Sequence, residues 1–562
     1  MKRTLFIPCL VSVISLAGCI AEDSSSNTRP NVVLIIADDM GYSDIGSMGS
    51  EIVTPNLDSL ANDGVLLTNF HASASCTVSR AMLLTGIDNH KVGFGANPGV
   101  AKRVPELQGN PGYTGEFVPG TKTLAHRLRA EDYETMMSGK WHLGHSAKSY
   151  PPAQGYDRSF YVDKGGASHF SDSTGLFESE NKVKYLEDSK LVNVFEDFYS
   201  STFYTEKLID YLSNRNTDKS FFAHLAYAAP HWPLQVPNDW LDKYAGKYDQ
   251  GWEKVRSERI NKMVKLGLVS DDISTEPLPS ALGLWSELSA DERKFEARRM
   301  EIYAAMISLM DKEIGRLVTY LKQTGEYDKT LIVFLSDNGP EGNNVSLIRN
   351  SAQWIEENFD QSYENMGKQN SYVWLGRGWG HVSAGPLSKY KTFLNEGGIR
   401  VPAIIKLPKA TISSKAMPAR YSGLVSVLDI LPTVLDVTGE QIEEDPELQG
   451  RSILNRLVNS EDATDDTSFA LEIYGGRAIF NGPYKGVLNW PPIGDGSWAV
   501  YDIQNDPGET NDLAAANPDL AKQLGKRWDQ WADANNVYRL TKDIGYGRYP
   551  DQKQESERQS HH

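Results

Sequence analysis

Asn31-Val32-Val33-Leu34-Ile35-Ile36-Ala37-Asp38-Asp39 is the stretch whose reading decides the fold. From Val32 to Ala37 the run is unbroken, apolar and mostly β-branched. That is the pattern of a strand buried on both faces, as in a parallel sheet. It ends directly in two carboxylates. In open α/β sheets ligands bind beyond the carboxyl ends of the strands. Two adjacent carboxylates at such a place repel each other and are costly without a cation. A solvated turn is the plain alternative, and a second stretch argues against it. Thr330-Leu331-Ile332-Val333-Phe334-Leu335 repeats the pattern and runs into Ser336-Asp337-Asn338-Gly339. If the two strands are neighbours, their tips bring Asp38, Asp39, Asp337 and Asn338 together. Such an all-oxygen site suits Ca²⁺ or Mg²⁺. Zinc is disfavoured, because nitrogen and sulfur ligands are absent from those tips.

Between these strands lies Ser75-Cys76-Thr77-Val78-Ser79-Arg80-Ala81-Met82-Leu83-Leu84-Thr85-Gly86. Small polar residues followed by an apolar turn predict a loop feeding a helix. Cys76 then sits near the helix N-terminus, where backbone N–H groups and the dipole favour negative charge. A lone thiol is most often a buried structural one, and Cys76 taken alone reads that way. Other motifs reverse the balance. Thr54-Pro55-Asn56-Leu57-Asp58 predicts a helix start, with Thr54 as N-cap and Pro55 at the first position. Residues 65–70 return as a strand. Residues 123–130 read as a helix and 133–137 as a strand leading to Gly139-Lys140-Trp141-His142-Leu143-Gly144. On an extended strand end Lys140 and His142 face the same side. Residues 221–227 are a further strand, in which His224 is a core histidine. Ala229-Pro230-His231-Trp232-Pro233 follows, and its two prolines stiffen the backbone around His231.

Taken in order, these motifs resemble the sulfatase family. The matching residues are Asp38-Asp39-Met40-Gly41-Tyr42, Thr54-Pro55-Asn56-Leu57-Asp58, Cys76-Thr77-Val78-Ser79-Arg80 with Leu83-Leu84-Thr85-Gly86, Gly139 to Gly144, and Pro230-His231. Lys391 with Glu396-Gly397-Gly398-Ile399-Arg400-Val401-Pro402, and Tyr501 to Leu513, complete the series. The resemblance covers nearly the whole mature chain and is closest to bacterial arylsulfatases and alkylsulfatases. It implies an alkaline-phosphatase-like large domain with a central mixed, mostly parallel sheet flanked by helices. A small C-terminal α+β domain with an antiparallel sheet follows. It also implies conversion of Cys76 to formylglycine by a formylglycine-generating or anaerobic sulfatase-maturating enzyme. Val78 departs from the family, which has Pro or Ala at that position, a residue the maturation enzyme reads.

What the family implies for the chemistry carries over residue by residue. The formylglycine hydrate at Cys76 is the nucleophile. Calcium, preferred to magnesium, is held by Asp38, Asp39, Asp337 and Asn338 and binds residue 76 as well. Lys140, Lys391 and Arg80 supply fixed positive charge. His231 or Lys391 protonates the leaving oxygen. His142 takes a proton from the sulfated diol, which expels sulfate and restores the aldehyde. The substrate is a small-molecule or glycan sulfate ester. A phosphonate or phosphate ester hydrolase on the same scaffold is one alternative. A lipoprotein that binds sulfated glycans without cleaving them is the other, if Cys76 is never matured.

The whole-chain features are compatible with that picture. The 562 residues carry a net charge of −17, with 40% hydrophobic and 23% charged residues. The acidic balance disfavours nucleic-acid binding, which needs a basic face. It leaves room for an anionic substrate at a local cationic cluster. Lys2 and Arg3 precede an apolar run at 5–16, and Leu16-Ala17-Gly18-Cys19 reads as a lipobox. Residues 1–18 are therefore expected to be a lipoprotein signal, Cys19 the lipid-bearing membrane anchor and 19–29 a polar tether. Export to the cell envelope follows, periplasm or outer membrane; Ile20 after Cys19 points to the outer membrane. Of the three cysteines, Cys9 leaves with the signal and Cys19 carries lipid, so Cys76 is the one thiol of the exported body.

Residues 30–440 are expected to form the catalytic domain and 441–562 the C-terminal subdomain. Residues 240–300 read as an insertion near the site mouth, and 300–321 as a core helix in which Asp311 has no chemistry. Residues 341–381, rich in Gly and aromatics, read as a long loop shaping the pocket. There Trp374 and Trp379, with Trp232, either stack on a ring or simply pack. The tail at 549–562 is polar and expected to fray.

Overall fold

The structure is a computed structural model that describes residues 29–279, 282–412, 417–440, 447–459 and 468–546. The signal, Cys19, all but the last residue of the tether, and the tail expected at 549–562 lie outside the described residues.

The apolar runs become the middle of a ten-stranded sheet. Its order is Arg420–Tyr421, Val65–Leu67, Ala403–Lys406, Thr330–Ser336, Asn31–Ala37, Phe221–Ala226, Glu134–Lys140, Arg158–Val162, Tyr185–Glu187, Lys190–Val192. The five strands from Thr330–Ser336 across to Arg158–Val162 are parallel, so their carboxyl ends share one edge. Ala403–Lys406 is antiparallel to both of its neighbours. Asn31–Ala37 is central, paired with Phe221–Ala226 on one side and Thr330–Ser336 on the other. Its register sets Ala37 opposite Ser336, so the two acidic tips emerge side by side.

Alternation along this strand divides the core in two. Val32, Leu34 and Ile36 face a cluster with Val78, Met82 and Leu83 of the helix Cys76–Thr85. Val33, Ile35 and Ala37 face the opposite layer, with Met306, Met310 and Ile314 of the helix Ala290–Gln323. That helix is 34 residues long and starts ten residues before the periodicity read from the sequence. Its first turns are charged and partly exposed, which hides the apolar period. A capping box of Ser289 and Glu292 sets its start.

The stretch at 240–300 does not border the site mouth. Its helix Trp252–Lys265 packs on the helix Arg377–Ala384, and Arg259 is buried against Asp44 and Glu51. Most charges of the stretch are exposed, but Arg256, Arg259 and Arg298 are buried and turned into the protein. Residues 341–381 are likewise less loop-like than read, with helical pieces at Val345–Asn350, Ala352–Asn358 and Arg377–Ala384.

The C-terminal part is a four-stranded antiparallel sheet, Ser468–Ile473, Gly476–Asn481, Tyr484–Leu488 and Trp498–Asp502. One face packs on the helix Pro518–Ala534 through Ile479, Val500, Leu524 and Trp528. From the other face Leu471, Ile473 and Phe480 join the large core. Among the described residues no helix is long and apolar enough to cross a membrane.

Candidate active site

Beyond the carboxyl edge of the sheet the strand tips hold their side chains rigidly. Asp39 adopts φ 66°, a left-handed conformation rare for a non-glycine residue. Backbone contacts around the turn hold it there. Asp39 N–H donates to Asp337 Oδ1 at 3.4 Å, Met40 N–H to Ser336 Oγ at 2.9 Å, and the Tyr303 hydroxyl to the Asp39 carbonyl at 3.2 Å. At Gly139 φ is 123°, and a Cβ would lie 1.8 Å from the Ala226 carbonyl oxygen. Only glycine lets Glu134–Lys140 run this close to its neighbour and deliver Lys140.

Cys76 is the first residue of its helix and is buried, 4% exposed. Its Sγ lies 3.3 Å from Asp38 Oδ1 and 3.5 Å from Asp39 Oδ1. Lys140 Nζ lies 2.6 Å from Asp38 Oδ2. Lys391 Nζ lies 2.8 and 2.7 Å from the two oxygens of Asp39, and 3.5 Å from Glu341 Oε2. Arg80 Nε donates to Asp337 Oδ2 at 2.7 Å and Nη1 to the Lys140 carbonyl at 2.8 Å. Asn338 Nδ2 donates to Asp39 Oδ1 at 2.7 Å. His231 Nε2 lies 3.6 Å from Asp39 Oδ2. Its Nδ1 is 2.6 Å from the Trp232 carbonyl, which can only accept, so Nδ1 carries the proton. His142 lines the same cavity, with its Nδ1 buried and without a hydrogen-bond partner among the described residues.

Burial and crowding of charge set the protonation states. Burial would raise the Asp39 carboxyl, but Lys391, His231 and Lys140 outweigh it and hold it far below the usual range. Burial raises Asp337, reinforced by Asp38 and Asp39 against the pull of Arg80. Burial and then Asp337 push the Cys76 thiol well above its ordinary value, so it stays protonated. Burial depresses His142, helped by Lys140 and Arg80. Burial also depresses His231, against Asp39. Both histidines are therefore neutral near pH 7.

All the residues singled out in the sequence converge here: Asp38, Asp39, Cys76, Arg80, Lys140, His142, His231, Asp337, Asn338 and Lys391. One detail differs. Lys140 ends its strand and His142 has φ 57°, so the two do not lie on one extended strand. They reach the site because the chain turns between them. His224 is a core histidine, as read: Tyr156 bonds its Nδ1 and burial lowers its pKa to about 3. Trp379 is packing, buried among Tyr248, Trp252 and Trp285. Trp374 lies under Arg299. Of the three tryptophans, Trp232 alone lines the cavity. Asp311 lies outside the site and has a structural part, accepting from the backbone of Asn56 and Leu57 at the start of Pro55–Asp63.

Sequence reasoning missed Glu341 beside Lys391, and Tyr546, Arg103 and Arg349 along the cavity wall. Glu341 could have been found, since it follows Asn338 by only three residues. The others lie far from any motif.

A divalent cation fits these residues. Four buried carboxylates (Asp38, Asp39, Asp337 and Glu341) face three buried cations (Lys140, Lys391 and Arg80). With all four carboxylates ionised the cluster is negative by one charge, which repels an anionic ester; a divalent cation reverses the sign. Asn338 Oδ1 is buried with no hydrogen-bond partner among the described residues, an oxygen ligand at the same point. Ligand atoms of Asp38, Asp39, Cys76 and His231 all lie within 4.8 Å of one another.

Comparison with known proteins places the chain in a family. The sequence pattern of the family described as Sulfatase matches residues 30–440. An uncharacterized sulfatase of Schizosaccharomyces pombe is 38% identical over 524 residues, 90% of this chain and 93% of that protein. An arylsulfatase of Klebsiella aerogenes is 36% identical over 434 residues, 76% of this chain and 90% of its own. Among solved structures, Ps i-CgsB in complex with k-i-k-neocarrahexaose superposes with a TM-score of 0.64 at 24% identity, covering 95% of this chain and 98% of that one.

Proposed function

The chain belongs to the sulfatase family of sulfuric ester hydrolases, and from that premise we propose that it works with residue 76 oxidised to formylglycine and a calcium ion on Asp38, Asp39, Asp337 and Asn338. One observation carries the reading. The side chain of residue 76 meets Asp38 and Asp39 between Lys140 and Lys391, in a donor set left negative without a cation.

Formylglycine, as its hydrate, would supply a hydroxyl for attack on sulfur and an aldehyde to which the residue resets by elimination. Calcium would supply Lewis-acid polarisation of a sulfate oxygen. The protein's own groups do the rest. Lys140 and Lys391 are fixed cations beside the reacting centre, placed in advance so that no reorganisation is needed as charge develops. Arg80 is clamped by Asp337 and the Lys140 carbonyl and orders the helix turn that presents residue 76. His231 commits Nδ1–H to Trp232, so Nε2 faces the site; an anionic ester beside it favours protonation there and delivery to the leaving oxygen. His142, neutral and with an Nδ1 unpartnered among the described residues, is the base for the resetting step.

An unmodified thiol is badly placed for catalysis, since it stays protonated and points at carboxylates. A chain that escaped maturation would bind sulfate esters and not turn them over. Cys76 and Val78 are both buried in the folded protein, at 4% and 0% exposure. The maturation enzyme must therefore read this segment before the helix packs. The test is a mass spectrum of the peptide carrying residue 76, from protein made in a maturation-competent host. Formylglycine is expected, and turnover of 4-nitrophenyl sulfate in proportion to its occupancy. Full turnover with an intact cysteine would sink the reading. A Val78→Pro variant with higher occupancy would show that Val78 limits maturation.

The proposal extends to location: export under residues 1–18 and lipid anchoring at Cys19 in the cell envelope. Incorporation of labelled palmitate that is lost in Cys19→Ala is the expected result. Label retained in that variant would reject it.

A further inference from the structure

The cavity continues outward from Cys76, and its mouth is built from three separate segments. Arg103 comes from 97–103, Phe177 and Glu180 from 176–180, and Arg349 from 345–349. Two guanidinium groups flank this mouth, in a chain whose net charge is −17. They lie close enough that Arg349, after burial, lowers the pKa of Arg103.

Arg349 is held in place. Its backbone has φ 53°, and its guanidinium stacks 4.1 Å from the Phe177 ring centroid. Its Nη1 lies 3.2 Å from Ser179 Oγ and 3.5 Å from Glu180 Oε1. A Cβ on residue 99 would meet Arg349 Nη2 at 2.4 Å, so glycine there makes room for it. Arg103 donates Nε–H to the Gly99 carbonyl at 2.9 Å and makes no ion pair among the described residues. The two arginines thus outnumber the one carboxylate, Glu180, at this mouth. Holding like charges together costs energy, which an anion between them returns. Phe177 packs edge-on to Trp232, with ring centroids 5.8 Å apart, and both line the same wall. That wall offers an apolar edge to a ring lying between the reacting centre and the arginines.

Resting on the sulfatase reading above, we infer that the Arg103–Arg349 mouth selects sulfate esters carrying a second anionic group. The class is a multiply charged glycan, bearing a further sulfate or carboxylate, and not a lone aryl sulfate. The scissile sulfate enters the cationic centre and the second group is gripped at the rim. Guanidinium suits both anions through paired N–H donors.

Binding separates this claim from the catalytic one. Full-length Cys76→Ala protein, which lacks the nucleophile, is titrated calorimetrically with sulfated disaccharides in pairs that differ by one further sulfate or one further carboxylate. For at least one pair the doubly charged member is expected to bind about tenfold more tightly at low salt. The preference should shrink as sodium chloride is raised. Adding Arg349→Gln or Arg103→Gln should reduce it severalfold, and both together should abolish it, with melting temperature monitored to confirm folding. Preference through sulfate pairs alone, or carboxylate pairs alone, identifies the second group. Equal affinities within every pair, or a preference that survives in the double variant, overturns the inference. Tight, charge-dependent binding with no turnover by the parent enzyme would refute the catalytic reading and leave this one standing.

Discussion

Lys391 lies on both oxygens of Asp39 and within 3.5 Å of Glu341, so it balances two carboxylates at once. Replacing it should do more than remove one positive charge from the reacting centre. Lys391→Met is expected to lower kcat on 4-nitrophenyl sulfate by about 10²–10³, the usual cost of losing a preorganised charge-stabilising group. A change under about threefold would remove Lys391 from the machinery. Asn338 gives the corresponding test for the cation. Chelation by EGTA should abolish turnover and calcium should restore it. In Asn338→Ala the calcium concentration for half-maximal activity should rise, because a neutral oxygen ligand is gone. An EGTA-insensitive enzyme would reject the metal assignment.

At the scale of elements, the helix Pro55–Asp63 shows how a distant residue can set a helix start. Thr54 stands at its N-cap but makes no side-chain capping bond; its Oγ1 accepts from Gly46 N–H instead. The orphan N–H groups of Asn56 and Leu57 go to Asp311, on the helix Ala290–Gln323. Those bonds tie the two helices together on the sheet face that Met306 and Ile314 cover. Asp311→Ala is expected to cost about 1–2 kcal/mol in urea unfolding, as for a lost cap. Asp311 touches none of the reacting groups, so kcat per folded molecule should stay at its parental value. A loss below about 0.3 kcal/mol would mean that water caps the helix equally well.

At the scale of the whole molecule, two buried ionic clusters fasten the C-terminal sheet to the segments that carry His71, His90 and Glu396. Lys485 lies 2.8 Å from both Glu396 and Glu509, and Glu396 also meets His71 at 3.0 Å. Lys485→Met leaves two buried carboxylates short of a partner and is expected to cost about 3–5 kcal/mol. Compensating Glu509→Gln in the same chain should recover part of that loss. In the second cluster His90 is gripped by Asp88 at 2.8 Å and Glu472 at 3.0 Å. Burial opposes its charge, but the two carboxylates win and raise its pKa to about 9. A raised histidine stabilises the fold fully below its unfolded value of about 6.5, and that contribution disappears as pH rises through about 9. The shift corresponds to roughly 3 kcal/mol. The parent should therefore lose melting temperature between pH 6.5 and 9 in excess of the His90→Gln variant. Parallel curves for the two proteins across that window would refute the assignment.

The buried strands and the all-oxygen tips were legible in the sequence, because each is local. An unbroken β-branched run ending in acid encodes both a central strand and what stands at its end. Asp38-Asp39 and Asp337-Asn338 needed only the parallel pairing of two such runs to meet. Cys76, Lys140, His231 and Lys391 were legible only through the resemblance of the ordered motifs to the sulfatase family, since Cys76 alone reads as a structural thiol. What local pattern does not encode is which distant segments share a wall. Arg103, Glu180 and Arg349 are far apart in the chain, and nothing near any of them marks a site. Tertiary structure alone brought them to one mouth, sent Arg259 inward to Asp44 and Glu51, and put Trp379 in the core. Side-chain identity specifies what a residue can do; packing of remote segments decides what it faces.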